Sequence, residues 1–185
     1  MYQPQVPLVQ LSPAFRTARL AEIELGHLIL LRAGAGGGAG LGMRADALSA
    51  RGDLSEGLLR LSGGPTRFER CALDDVLVAI DIEYVLEADL TSIAARAPVS
   101  GDLIVAPNRP AAGVFVANPW NGSNGVLDLA SAVIRPFVAP RTATQTALSW
   151  KLTERAQRSR VLLAHEAPEG LATELPRRVF GEDSD

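Results

Sequence analysis

The sequence predicts a mainly β fold: an antiparallel sandwich or barrel with one to three short helices, or a β-rich α+β variant of it. Three observations lead there. Residues 75–89 alternate apolar and polar side chains over an unusual length, and a period of two marks a half-buried strand. Clusters of Gly, Pro, Asn and Ser recur along the chain, as they do between short antiparallel strands. No regular alternation of strand-like and helix-like segments suggests parallel βαβ units.

The segment 75–89 is the clearest of these. Val76, Val78, Ile80, Ile82, Tyr84, Leu86 and Ala88 form one face; Asp75, Asp81, Glu83, Glu87 and Asp89 dominate the other. The even-numbered face is therefore expected in the core. Fifteen residues exceed the usual strand length, so one long strand with a bend or bulge is expected, or else two strands without a tight turn.

The other elements follow in order. Residues 1–13 carry Pro4, Pro7 and Pro13 and read as an extended arm, because proline fixes φ and removes a donor. The arm is either loose or docked on a neighbouring subunit, with Tyr2, Pro4 and Pro7 as candidate interface residues. Ser12-Pro13 suits a helix start, but Ala21, Ile23 and Leu25 alternate with Glu22 and Glu24, favouring a strand over 19–32 interrupted near Gly26. Residues 33–42 contain six glycines and read as a flexible or interface loop. No lysine follows Gly34-x-Gly36, so it is not a Walker loop, and the context of a dinucleotide fingerprint is not met.

Asp53-Leu-Ser-Glu56 resembles a capping box, with Leu54, Leu58 and Leu61 on one helical face. A short helix ending before Ser62-Gly-Gly-Pro65 is expected, with a hairpin turn at Glu56-Gly57 as the alternative. A second short helix is expected over 90–97, capped by Asp89 and stopped by Pro98. Residues 102–106 and 111–117 read as an antiparallel pair around the prolines at 107 and 110. Asn118 to Gly125 is the richest turn signal. Residues 126–135 fit a helix or a strand, 143–152 alternate as a strand, Glu154 and Arg158 suit a helical turn, and 160–164 form a last apolar run. The chain thus divides into the arm, one domain over 14–170 and a C-terminal tail at 171–185, a size that buries a core without staples.

Composition limits function. Net charge is −3, without the basic excess of a general nucleic-acid binder. Seventeen of the eighteen basic residues are arginine and Lys151 is the only lysine, which reads first as codon composition. Cys71 is alone, so no disulfide and no oxidising compartment are implied. The first residues lack the basic and apolar regions of a signal peptide, and no apolar run approaches the ~20 residues needed to span a bilayer. A soluble protein of the cytoplasm or a virion is expected, with no membrane and no nucleic-acid partner.

The candidate chemistry is sparse. His27, His165 and Cys71 have no diagnostic spacing for zinc. Asp81 and Glu83 sit two apart on one strand face, and with Asp75, Glu87 or Asp89 are the candidates for holding magnesium or calcium; the plainer reading is a solvated outer face. Paired carboxylates suit glycoside hydrolysis only at a defined separation, and an acid-and-lysine hairpin nuclease lacks a nearby lysine. No G-x-S-x-G elbow exists, His165 and Glu166 point to opposite strand faces, and Cys71 reads as a packed thiol. Asn121-Gly-Ser123 is a glycosylation sequon of no consequence without secretion. Trp120 and Asn121 are candidate interface residues, since aromatics in polar loops anchor partners or staple the loop. No cofactor is implied. The expectation is a non-enzymatic structural or interaction subunit of a larger protein assembly, such as a viral head or tail component, with other protein subunits as partners. The alternative is a small enzyme or ligand-binding barrel with an acidic site around Asp81 and Glu83.

Overall fold

The computed structural model describes residues 15–32, 39–63, 65–105, 112–120, 122–138 and 144–166. The expectations for the arm at 1–13, the glycines at 34–38, the turn at 107–110, Asn121 and the tail at 171–185 lie outside these residues. Strands take up 53% of the described residues and short helical turns 5%, so the mainly β, sandwich-like expectation holds.

Among the described residues the strands are β1 (Phe15–Arg19), β2 (Leu28–Leu31), β3 (Gly40–Leu48), β4 (Leu54–Arg60), β5 (Arg67–Arg70), β6 (Val76–Ile80), β7 (Tyr84–Ala88), β8 (Ile93–Ala95), β9 (Leu103–Val105), β10 (Ala112–Val116), β11 (Gly125–Asp128), β12 (Val133–Pro136), β13 (Gln145–Ala147), β14 (Trp150–Glu154) and β15 (Val161–His165). A large sheet runs β1-β6-β2-β3-β12-β11-β10-β9-β13-β8, with β4 joined to β3 and β5 to β4. A small sheet runs β15-β14-β7.

β3 is the hub. One of its sides pairs with β4 over residues 42–48. Its other side is shared: β2 takes residues 40–43 antiparallel, and β12 takes Asp46 and Ala47 parallel. The remaining pairings are antiparallel. The main core gathers Leu28, Met43, Leu59 and Ile80 with Leu103, Val114, Leu127 and Ile134 and, from the small sheet, Trp150 and Leu152. A second cluster of Ala18, Leu20, Ile23, Ile29, Leu31, Leu58 and Ala79 fills the opposite face of the β1-β6-β2-β3-β4 region.

Several expectations are corrected. The segment 75–89 is not one strand. β6 ends at Ile80 and β7 begins at Tyr84 in the other sheet, so residues 81–83 carry the chain between sheets; the two-strand alternative holds. Nor is the whole even-numbered face core: Val76 is 69% exposed, whereas odd-numbered Ala79 is fully buried in the second cluster. β6 has a cluster on each side, which alternation alone cannot reveal.

The helix expected after Asp53 is strand β4, and Glu56-Gly57 is not its turn. The turn lies before it, where Ser49 Oγ accepts the Arg51 and Asp53 amides at 3.2 and 3.1 Å and Gly52 takes a positive φ of 90°. The Asp53 that mimics a helix cap closes a hairpin with Ser49 instead, because Ser and Asp cap turns as readily as helices. Gly57 is there for close approach: a Cβ would meet the Glu69 carbonyl oxygen at 2.2 Å and the Phe68 ring at 2.8 Å.

The 90–97 helix shrinks to a 3-10 turn, Leu90–Ser92, capped by the Asp89 carboxylate on the Thr91 amide, before β8 begins. The strand expected over 19–32 is a 3-10 turn at Leu20–Glu22 followed by β2, with Gly26 at φ 86° between them. Residues 126–135 take the strand option, as the hairpin β11–β12. Residues 143–152 divide into β13 and β14, and Glu154 pairs with Arg160 across a turn rather than with Arg158 along a helix. The antiparallel pair expected from 102–106 and 111–117 is β9 and β10.

Replacing Gly57 by alanine should therefore destabilise the fold by about 1–3 kcal/mol through overpacking, read as a lower urea midpoint. The helix expectation would instead have predicted a gain.

Candidate functional site

Asp81 and Glu83 sit on the link that leaves the large sheet, so both project at its rim. They meet His27, from the turn before β2, in an open cleft of 540 Å³ that Tyr84 and Arg155 also line. The sequence separates these groups widely, and the topology brings them together. Each carboxylate is nevertheless already engaged. Arg16 Nε bonds both Asp81 oxygens at 2.9 and 3.1 Å. Arg155 bonds Glu83 at 3.3 Å by side chain and 2.8 Å through its amide to the Glu83 carbonyl. Tyr84 donates its hydroxyl to the Gly26 carbonyl at 2.6 Å, and burial pushes its pKa up to about 12. A phenol so held does not serve as a proton donor and acceptor near neutrality.

The other acids of the segment disperse. The Asp75 carboxylate accepts the Ala72 amide. Glu87 pairs with Lys151 at 3.1 Å, and the bond from Lys151 holds its carboxyl below the usual range. Asp89 caps its turn. Among the described residues no group of His, Cys, Asp and Glu has the arrangement of a metal site. Cys71 is half-buried beside the second cluster, and burial raises its thiol pKa, the reverse of an activated nucleophile.

A second cluster joins residues that the sequence gives no reason to join. Asp102 is fully buried. It accepts the Val99 amide at 2.8 Å and pairs with Arg96 at 2.8 Å. Beside it, the His165 ring stacks on Trp150, centroids 5.3 Å apart, and Trp150 donates its indole N–H to the Gly101 carbonyl at 2.8 Å. That bond ties the small sheet to the large one. Gly101 has φ 100°, and a Cβ there would lie 2.6 Å from the His165 ring. Burial lowers the His165 pKa against an opposing pull from Asp102, and burial raises that of Asp102 against the Val99 amide and Arg96. The cluster is a structural joint with a titratable face, bordering a 440 Å³ cleft with Glu87, Lys151 and Glu166.

Trp120 packs its ring on the main core and also lines a third cleft, of 390 Å³. It is thus both loop staple and cleft wall. A Cβ on Gly125 would stand 3.0 Å from the ring, so glycine there makes room for the indole. Arg51 and Arg70 line the same cleft. The interface candidates Tyr2, Pro4, Pro7 and Asn121 fall outside the described residues.

Comparison with protein-family models, curated proteins and solved structures finds no match for this chain. No helix among the described residues is long and apolar enough to cross a membrane.

The joint makes the fold sensitive to acid. With the folded His165 pKa below 6.5, the unfolded chain takes up that proton first as pH falls. The histidine's share of stability is full above about pH 6.5 and is lost below it. Thermal melts from pH 7.5 to 5 should show His165→Gln losing less stability on acidification than the natural chain. Equal slopes would contradict the assignment.

Proposed function

We propose that this chain is a non-enzymatic structural subunit that docks into a larger protein assembly, of the kind that builds a viral head or tail, in the cytoplasm or a virion. One observation carries the reading. The core-facing side of β6, β2 and β3 runs on past the core. Val78 lies directly opposite Leu30, and Leu30 opposite Leu41, so the three stand side by side. Val76, two positions along, shares their face. Val76 is 69% and Leu30 39% exposed, whereas Ile80, Leu28 and Met43 on the same face are buried.

Beside this strip β1 pairs, among the described residues, with β6 alone, leaving its outer backbone edge open. An apolar strip next to an open strand edge is surface that a neighbouring subunit covers. The ion pairs of Asp81 and Glu83 add indirect support, because each of these two carboxylates is already held by an arginine.

A second reading, a ligand-binding or catalytic barrel with its site at Asp81 and Glu83, draws support from the cleft that gathers them with His27. In that reading Asp81→Asn and Glu83→Gln abolish ligand binding. In the assembly reading they change stability by less than about 1 kcal/mol each, since both pairs are solvent-exposed.

The decisive measurement is the association state. The purified chain should self-associate or co-assemble in sedimentation velocity. Leu30→Glu with Val76→Glu should weaken that association at least about tenfold, or ~1.4 kcal/mol, with an unchanged circular dichroism spectrum. A chain still monomeric at about 1 mM, in its natural form and beside its genomic neighbours' products, would overturn the proposal.

A further inference from the structure

The geometry points to a second docking site on this chain: a cleft that binds an acidic peptide segment through Arg51, Arg70 and the indole of Trp120. It lies beyond the other end of β3 from the apolar strip, so it stands independently of the assembly reading. Three strand connections build it. The β3–β4 hairpin turn contributes Ser49, Arg51 and Asp53, the end of β5 contributes Arg70, and the loop before β11 contributes Trp120 and Ser123.

The cleft is held rigid where it counts. The hairpin turn is closed by the Ser49 amide on the Asp53 carbonyl at 2.9 Å and by the Gly52 amide on the Ser49 carbonyl at 3.0 Å. Ser49 Oγ, which accepts the Arg51 and Asp53 amides, fixes the backbone from which Arg51 projects. The ring of Trp120 is seated against the core over Gly125. A planar aromatic on a fixed backbone loses little entropy on binding.

Arg16, Arg44, Arg60, Arg67, Arg96, Arg155 and Arg160 each pair with a carboxylate. Arg51 and Arg70, like Arg19, Arg32, Arg135 and Arg158, form no such pair among the described residues, and these two line the same 390 Å³ space. The one acid there, Asp53, faces the Ser49 hydroxyl at 3.3 Å. The Trp120 indole N–H is buried and has no acceptor among the described residues, so the ring presents its face, not its donor, to the cleft.

Two guanidinium forks, serine hydroxyls and an indole wall match carboxylates flanking an apolar or aromatic side chain. A nucleic acid fits less well. Its repeated phosphates need a basic track, whereas this cleft has two arginines beside Asp53 on a chain of net charge −3.

The test uses the full 15N-labelled chain and the blocked peptide Ac-Glu-Phe-Glu-Phe-Glu-amide at low salt. The chain has two indole N–H signals, from Trp120 and Trp150, and Trp120→Phe assigns them. The peptide should shift the Trp120 signal with a Kd of roughly 1 mM or tighter and leave Trp150, bonded to Gly101, in place. Arg51→Gln with Arg70→Gln, both exposed positions, should weaken binding at least about tenfold. The matched glutamine peptide should lose as much. The proposal is overturned if the peptide leaves the Trp120 signal unmoved, if the double variant or the glutamine peptide binds equally well, or if a short oligothymidylate binds more tightly than the peptide. The association state of the chain should be unchanged in the double variant, so a failure here leaves the apolar strip to be judged on its own measurement.

Discussion

The structure depends on one strand with too many partners. β3 satisfies β2, β12 and β4 at once and is buried or half-buried along its whole length. A strand buried on both faces must bury whatever it carries, and this one carries Arg44 and Asp46. The two side chains are bonded to each other across one pleat, and Arg44 also donates to the carbonyls of Ala45 at 3.1 Å and Gly57 at 3.0 Å. A buried pair adds little net stability over apolar residues of like shape, but removing one partner leaves a stranded charge. The pair therefore fixes the register of β3 against β4: a slip by one residue would send both charges into the apolar core.

The same economy governs the other acids. Residues that read as a possible metal or catalytic set each serve a local structural purpose: Asp81 with Arg16, Glu83 with Arg155, Glu87 with Lys151, Asp89 at its turn. Most of these pairs join different elements far apart in sequence. Exposed pairs contribute little energy individually, but they hold the 81–83 link and the small sheet in one orientation over the core.

Much of the architecture is legible in the sequence, and its failures have definite causes. Period-two patterns located β7 and β14, and apolar runs located β9, β10 and β15; residues 113–116 of β10 are buried on both faces, which is why no alternation shows there. β4 was disguised by Asp53 and Glu56, whose spacing imitates a capping box, and by Leu54, Leu58 and Leu61, which share one helical face. The long strand at 75–89 divides because alternation persists across the change of sheet at residues 81–83. Pattern records which side is apolar, not which sheet lies beneath it. The sites were less legible still. Trp120 stood out by its loop, but nothing local points from it to Arg51 or Arg70. Asp102 and His165 are 63 residues apart and meet only because Trp150 and Gly101 bring the two sheets together.

The sharing of β3 also bears on the order in which the chain acquires its shape. β2, β3, β4, β5 and β6 follow one another closely and can pair as they emerge. The remaining stretch of β3 waits for β12, roughly 90 residues later, and such distant pairing slows folding because a long loop must close before any contact rewards it. Until then the backbone of Asp46 and Ala47 offers an open, parallel-competent edge beside an already formed hairpin layer. During synthesis that edge is a point at which nascent copies on one messenger risk joining each other instead of themselves.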